Sequence, residues 1–284
     1  MKDNKVISLI VVVVIYAIAT ILGIAIYNIL NFSFWLNLLI ADVASTTCVF
    51  LFSLLLKNAS CYDPYWSIAP IVMVLYASIK EGLNGPRILA VVACCIWGIR
   101  LTYNWAYTFN GLNSQDWRYD MLKEKAGKLY PIINYLGIHM FPTLVVYMCM
   151  LPVIFMFKNE VQMNPLVVVF FILAILCPIL QFVADTQMHS FKKQKTNTFI
   201  RIGVWKYSRH PNYLGEIMMW WNMAFLAISS LGGYWFLVIG AIINTLMFLF
   251  ISIPMAENHQ RERKPGFDEY KKETRMLIPL KKFR

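Results

Sequence analysis

Long apolar stretches separated by short polar segments dominate this chain, and their lengths predict helices that cross a membrane. About 20 consecutive apolar residues span the hydrocarbon core of a bilayer as a helix. The candidate spans lie at about 6–30, 33–56, 66–79, 86–106, 132–157, 162–184, 212–230 and 232–254. The third is short and begins near Pro64 and Pro70. The pattern predicts an all-α, polytopic membrane bundle of about seven or eight transmembrane helices.

The composition supports the same class and disfavours two others. Hydrophobic residues make up 59% of the chain, charged residues 14%, and the mean hydropathy is +0.56, as in integral membrane proteins. The net charge of +11 comes from loops beside the spans, so we predict no nucleic-acid partner. Six cysteines without a CxxC spacing are more typical of buried thiols than of ligands, and no paired-histidine motif occurs. No metal site is therefore predicted.

The distribution of basic residues predicts the orientation in the membrane. With eight spans, the N-terminus, three loops and the tail share one side and hold 22 of the 26 lysines and arginines. The positive-inside rule places that side in the cytosol, with both termini. We expect a multi-pass protein of a bacterial inner membrane or the endoplasmic reticulum. Residues 1–57 form a predicted N-terminal transmembrane hairpin, and residues 58–284 a second predicted domain.

One polar stretch between two apolar spans, residues 203–216, is the strongest candidate for a site. Pro211 is suited to the first turn of a helix, which puts Arg209, His210 and Asn212 at a helix N-terminus. Free N–H groups and the helix dipole favour anions there. The stretch is thus either a pocket for a phosphate or carboxylate, or a positive cytoplasmic loop.

Ionisable residues inside spans are costly and mark further candidates. Asp42 could pair with Arg100, either as a structural ion pair or at a functional site. Asp185 lies near the cytosolic end of its span, where a carboxylate in headgroup water is an equally good explanation. The segment 61–67 contains a carboxylate and several aromatic residues, and it is either an interfacial aromatic belt or part of a ligand site.

The tail, residues 257–275, is rich in charges of both signs. Its pattern predicts a helix, a turn at Pro265 and Gly266, and a second short helix. Residues 277–280 would then pack on an apolar surface. We expect a short, folded, cytosolic helical tail that closes over a pocket.

Several segments resemble the steroid 5α-reductase family. Residues 203–216, Trp220-Trp221 and residues 267–279 resemble its C-terminal domain. Residues 62–68 and 117–119 look like the DUF1295 branch in particular. The first two spans match in hydropathy alone. Sterol reductases and isoprenylcysteine carboxyl methyltransferases carry closely similar Arg-His-Pro segments.

The resemblance implies an oxidoreductase that binds NADPH from the cytosolic side. Hydride would pass to an activated carbon–carbon double bond of a steroid-like or other enone lipid, such as a Δ4-3-keto steroid, while membrane lipids surround the protein. The cofactor supplies that chemistry. The implied cofactor-binding residues are Asp185, Arg209, His210, Asn212, Tyr213, Glu216, His259, Arg261 and Tyr270.

The resemblance is weaker at the expected catalytic pair. Members of the family polarise the substrate ketone with a tyrosine and a glutamate in the N-terminal half, and this chain departs from that pattern. By position, Asp63 is the nearest candidate for the acid and Tyr103 for the phenol. A phenol bonded to a carboxylate donates well to a developing enolate oxygen.

Two other functions are compatible with the same residues. An S-adenosylmethionine-dependent methyltransferase of the isoprenylcysteine type shares the Arg-His-Pro segment, although such chains are usually smaller and lack the block at 62–66. A non-catalytic membrane protein that binds sterols or other lipids would keep the fold without cofactor affinity. Binding of NADPH, of the methyl donor or of neither separates the three.

Overall fold

The computed structural model describes residues 4–278, which contain helices and no strand, so the predicted all-α class is confirmed. Seven helical segments in this part are long and apolar enough to cross a membrane. They are Lys5–Ile29, Phe34–Leu56, Gly85–Thr108, Trp117–Lys158, Pro165–Lys193, Pro211–Leu231 and Trp235–Arg263.

The helices group into two compact units, Met1–Glu160 and Val161–Arg284, so the boundary predicted at residue 57 lies inside the first unit. The helices of the first unit are α1 (Lys5–Ile29), α2 (Phe34–Leu56), α3 (Tyr65–Glu81), α4 (Gly85–Thr108), α5 (Trp117–Ala126), α6 (Tyr130–Ile133) and α7 (Phe141–Lys158). Those of the second are α8 (Pro165–Lys193), α9 (Pro211–Leu231), α10 (Ile239–Met247), α11 (Ile253–Arg263) and α12 (Phe267–Glu273).

Asparagine caps explain where three of the long helices begin. The side chains of Asn4, Asn84 and Asn164 each accept a hydrogen bond from the backbone N–H three residues later. Such a bond satisfies one of the free donors of a helix N-terminus. Pro86 and Pro165 follow within the first turn, where a proline loses no hydrogen bond.

The third predicted span corresponds to α3, which has 17 residues. At 1.5 Å per residue it is about 26 Å long, which is shorter than a bilayer core of about 30 Å. A short 3₁₀ turn, Ala59–Tyr62, connects α2 to it.

Two wider, π-helical turns interrupt the helices, and each ends two residues before a proline. Asn134–Met140 precedes Pro142, and Phe248–Ser252 precedes Pro254. A proline ring lacks an N–H and crowds the preceding turn, which favours such a change of helical pitch. The first turn buries Asn134 and His139 inside the first unit.

Close packing of α8 against α9 depends on Gly215. A Cβ atom at this position would lie 2.6 Å from Cγ of Gln181 and 3.0 Å from the carbonyl oxygen of Cys177. We expect Gly215→Ala to lower the free energy of unfolding by about 1–3 kcal/mol, because the two helices must separate. Gly137→Ala is the control, since its Cβ would meet only Ile133 at 3.8 Å. Equal thermal midpoints of the two purified variants in detergent would contradict this account.

Candidate functional site

The loop before α9 takes the form that its glycine and proline predict. Gly203 has a positive φ of 56° and begins a 3₁₀ turn, Gly203–Lys206. Pro211 is the first residue of α9, as predicted, and His210 precedes it. Arg209 and His210 therefore lie where the chain enters the helix.

Arg209 and Glu257 form a buried ion pair within the second unit. Nε and Nη2 of Arg209 donate to Oε1 of Glu257 at 2.9 and 2.7 Å. The same oxygen lies 3.2 Å from Nε2 of His210, and Oε2 lies 3.4 Å from Nζ of Lys271. Because the Arg209 and Glu257 side chains are only 5% and 10% exposed, their charges must be satisfied by one another and by the neighbouring groups.

Arg209 also holds the tail against the loop. Its Nη1 donates to the carbonyl oxygens of Thr274 at 2.5 Å and Lys271 at 3.3 Å, and its backbone N–H donates to the carbonyl of Arg275 at 2.8 Å. The predicted helix, turn and second helix are confirmed as α11, a turn with Gly266 at a φ of 77°, and α12. Residues 279 and 280 of the predicted packing segment lie outside the described residues.

A cavity of about 260 Å³ lies between the loop, α8, α9 and the tail, and we call it the basic pocket. Its lining includes Met188, Phe191, Lys192, Thr196, Phe199, Ile200, Trp205, Arg209, His210, Asn212, Tyr213, Ala256, Glu257, Gln260, Lys264, Phe267 and Tyr270. Its charged members are three cations, Lys192, Arg209 and Lys264, and the carboxylate of Glu257. The predicted closing of the tail over a pocket is confirmed, because Phe267 and Tyr270 lie in α12.

Stacked rings form the walls of the basic pocket. The rings of Phe199 and Tyr270 lie 4.9 Å apart and 5° from parallel, and those of His210 and Tyr213 lie 5.2 Å apart at 7°. Burial raises the pKa of Tyr270 to about 12, so its phenol stays neutral. Lys264 donates to the carbonyl of Thr198 at 2.8 Å, and burial lowers its pKa. Flat aromatic walls and cations suit a ligand that carries both rings and phosphates.

Five of the nine predicted cofactor residues line the basic pocket: Arg209, His210, Asn212, Tyr213 and Tyr270. Glu216 lies instead in the contact between α8 and α9. It is 4% exposed and accepts hydrogen bonds from Nε2 of Gln181 at 2.7 Å and from Nε1 of Trp220 at 2.9 Å.

The other three predicted cofactor residues lie outside the lining. Nε2 of His259 and Nη1 of Arg263 are 3.2 Å apart, and Arg261 donates to the exposed carboxylate of Asp268 at 3.0 Å. Asp185 lies on α8 beside His189.

In the first unit, a buried carboxyl and a phenol meet at a narrow apolar cavity. The Tyr65 hydroxyl donates to Oδ1 of Asp42 at 3.0 Å, and both residues are buried. They line a cavity of about 60 Å³ between α1, α2 and α3. Its other lining residues are Tyr16, Thr20, Gly23, Ile24, Tyr27, Leu38, Ala41, Ser45, Ile68, Ala69, Val72, Met73 and Tyr76. Asp42, for which Arg100 was one possible partner, is thus bonded to Tyr65.

Asp63, the predicted catalytic acid, is paired with a phenol other than the predicted one. The Tyr119 hydroxyl donates to its Oδ1 at 2.5 Å. Tyr103, the predicted phenol, is 58% exposed and its ring lies against Tyr107. Neither Asp63 nor Tyr103 lines the cavity that holds Tyr65.

The carboxyl of Asp63 makes stability depend on pH. Burial raises its pKa from 3.8 to about 6, and the bond from Tyr119 opposes part of that rise. The folded state therefore binds a proton more tightly than the unfolded state, and its stability falls as the pH rises through this window. We expect Asp63→Asn to reduce the fall in thermal midpoint between about pH 4 and about pH 7. Asp120→Asn, at an exposed position, is the control, and equal slopes for wild type and Asp63→Asn would refute the assignment.

Two residues of these sites, Tyr65 and Glu257, were not predicted as site residues, for different reasons. Tyr65 lies in the segment 62–68 that carries the family resemblance, so a signal was present, but it did not indicate Asp42 as the partner. Glu257 is one of several acids in a charged tail, and nothing in the sequence distinguishes the buried one.

Comparisons with known proteins found a matching family model and a curated relative. The family model described as "Protein of unknown function (DUF1295)" matches residues 49–274. An uncharacterized protein of Schizosaccharomyces pombe is 27% identical in an alignment of 204 positions, and the match covers 61% of this chain and 59% of that protein. The chain thus matches about three fifths of the length of this relative. No solved structure matches.

Proposed function

This chain belongs to the DUF1295 family, whose function is unknown, and from that premise we propose that it is a membrane-embedded, NADPH-dependent reductase of enone lipids. The observation that carries the proposal is the Asp42–Tyr65 pair at an apolar cavity. Methyl transfer does not require a proton donor aimed at a carbonyl oxygen, whereas reduction of an enone does.

Tyr65 would act on the carbonyl oxygen of the lipid. In its protonated form Asp42 donates to the phenol oxygen, which frees the phenol hydrogen for a carbonyl oxygen that gains negative charge. When bound, the reduced cofactor supplies the hydride that adds to the β-carbon of the enone. The apolar residues around the pair, among them Ile68, Val72 and Met73, would exclude water from the carbonyl group.

The donor set of the basic pocket fits part of a dinucleotide. Lys192 and Lys264 offer cations for phosphate oxygens, Asn212 offers an amide, and the rings of Tyr213 and Phe199 form aromatic walls. The volume of about 260 Å³ is slightly below the roughly 300–1,000 Å³ of common ligand pockets, so it suits one nucleotide half of NADPH. Arg209 is committed to Glu257 and the tail, and its role would be to shape the pocket.

The first test measures the binding of NADPH and of S-adenosylmethionine to detergent-purified protein. The readout is the melting temperature of the protein. A ligand that binds only the folded state stabilises it by about 2.7 kcal/mol at 100 times its Kd. We expect NADPH to raise the melting temperature and S-adenosylmethionine to leave it unchanged. The shift should shrink in Asn212→Ala and persist in Lys206→Ala, whose side chain lies in the same loop outside the pocket lining.

The outcomes separate the three functions. A shift with the methyl donor alone would replace the reductase with a methyltransferase. Protein that responds to neither compound would instead be a lipid-binding protein without a cofactor. If NADPH binds, its oxidation is then measured with enone lipids in mixed micelles. Failure to oxidise it with linear and fused-ring enones alike would overturn the proposed reaction.

A further inference from the structure

A line of hydroxyl groups leads away from the Asp42–Tyr65 pair into the first unit. Thr46 lies one helical turn after Asp42 on the same face of α2, and its hydroxyl is adjacent to the Tyr65 phenol. Oγ1 of Thr46 lies 3.0 Å from Oγ1 of Thr143, which lies 2.8 Å from the hydroxyl of Tyr62. All five residues are buried, with exposures from 0% for Thr46 to 6% for Asp42 and Tyr65.

Counting hydrogens fixes the direction of this chain. Each hydroxyl has one hydrogen to donate. Because Tyr65 donates to Asp42, its oxygen can only accept a further hydrogen bond, and Thr46 is the adjacent hydroxyl on α2 that can donate it. The single hydroxyl hydrogen of Thr46 is then used in that bond, so Thr46 must accept a hydrogen bond from Thr143. Thr143 must in turn accept one from Tyr62. Every bond therefore points toward Asp42, which is the order that successive proton hops to that carboxyl require.

We propose that Tyr62, Thr143 and Thr46 form a proton relay that reprotonates the Asp42–Tyr65 pair after each turnover. The inference rests on the proposed reductase and adds positioning residues to it. Tyr62 and Thr143 are connected to the pair through Thr46, so all three residues act on the lipid through Tyr65.

The proton balance of the reaction requires such a supply. Adding a hydride to the β-carbon of an enone and a proton to its α-carbon converts it to a saturated ketone, so each turnover consumes one proton. Tyr65 gives its hydrogen to the carbonyl oxygen, and the enol then becomes the ketone by losing one proton from the oxygen and gaining one at the α-carbon, with no net change. The Asp42–Tyr65 pair is therefore one proton short after each turnover. The cavity that holds the pair has mostly apolar walls, so a hydroxyl chain is the available route.

The start of the relay lies next to groups that can bind and release protons. Tyr62 directly precedes Asp63, which is only partly buried and is bonded to Tyr119. The His139 ring lies 4.6 Å from the Tyr62 ring, and its Nδ1 lies 3.0 Å from the carbonyl oxygen of Asn134. Nε2 of His139 is buried without a hydrogen-bond partner among the described residues. In this proposal the relay takes up its proton beside Tyr62 rather than through the apolar cavity.

Two neighbouring threonines on α2 give a matched pair of variants. Thr46→Val and Thr143→Val each remove one hydroxyl of the relay. Thr47→Val removes a hydroxyl that donates to the carbonyl of Val43 at 2.8 Å and contacts Tyr135 instead. All three replacements keep the shape of the side chain, so a difference between them reports on the relay.

The kinetic test compares the first turnover with later ones, using NADPH and whichever enone lipid the wild type reduces. We expect Thr46→Val and Thr143→Val to lower kcat about 10²-fold, the lower end for a positioned proton transfer, and Thr143→Val to leave KM and the first-turnover rate unchanged. Thr47→Val should match the wild type. Equal kcat values for Thr143→Val and Thr47→Val would overturn the relay, as would a first turnover slowed as much as kcat.

An infrared test needs neither cofactor nor substrate. The carboxylic-acid band lost in Asp42→Asn identifies Asp42, and its shift after transfer to deuterium oxide measures proton exchange. We expect this shift to be slower in Thr143→Val and Tyr62→Phe than in the wild type and Thr47→Val. Equal exchange rates, or no Asp42 acid band at any pH at which the protein is folded, would overturn the relay. If the wild type reduces no enone, the proposed function fails while this test still decides on the hydroxyl chain.

Discussion

Replacement of Tyr65 by phenylalanine should lower kcat for enone reduction by about 10²–10³-fold, because the hydrogen bond to the developing enolate oxygen is lost. The ring keeps its edge-on contact with Tyr16, whose centroid lies 5.6 Å away, so packing changes little. The thermal shift caused by NADPH should be the same as in the wild type. Measurement of kcat alongside cofactor binding separates the two effects.

Tyr119→Phe is the matched control for Tyr65→Phe. It also removes a phenol bonded to a carboxylate, but the Asp63–Tyr119 pair does not line the apolar cavity. We expect its kcat to stay within a few-fold of the wild type. A large loss in Tyr119→Phe and none in Tyr65→Phe would transfer the catalytic role to Asp63, the acid that position in the sequence favoured.

Arg209→Ala should have the largest effect on stability. Removing one partner of a buried ion pair costs about 3–5 kcal/mol, and we expect the lower end because His210 and Lys271 still face Glu257. The carbonyls of Thr274 and Lys271 also lose their donor, so the tail should detach first. Limited trypsin digestion should then cleave the variant near Lys271 well before the wild type, and its thermal midpoint should fall.

Arg201→Ala gives the comparison for Arg209→Ala. Nε of Arg201 donates to Glu273 in the same tail at 2.8 Å, but both side chains are nearly half exposed. Exposed ion pairs contribute about 0–1 kcal/mol, so this variant should remain close to the wild type. If the two arginine variants lose equal stability, burial is not what gives Arg209 its importance.

The helices of this protein are predictable because each is a long apolar run with a distinct start. The asparagine before a proline-containing first turn is visible in the sequence at residues 84 and 164. The short α3 was also predicted as short, because the apolar run ends near residue 79. Local chemistry therefore accounts for the fold class and for most helix boundaries.

Pairing between distant residues was the part that could not be read from the sequence. Asp42 and Tyr65 are 23 positions apart on different helices, and their contact depends on how each helix is rotated about its own axis. Tyr103 fits by position along the chain, yet the rotation of α4 leaves it exposed. The same holds for Glu216, which lies on α9 next to the loop but points toward α8. Sequence spacing determines which residues share one face of a helix, but it does not determine which residues of another helix pack against that face.

The bonds from Arg209 to the carbonyls of residues 271–275 set an order of events during synthesis. The loop and α9 emerge from the ribosome first, with a guanidinium whose acceptors have not yet been made. The part of the basic-pocket wall that Tyr270 forms is also missing until the tail has been synthesised. A chain interrupted before residue 270 therefore carries an open pocket and a cation without its carbonyl acceptors, and we expect cellular quality control to remove such products. Nonsense changes close to the tail should thus resemble complete loss of the protein.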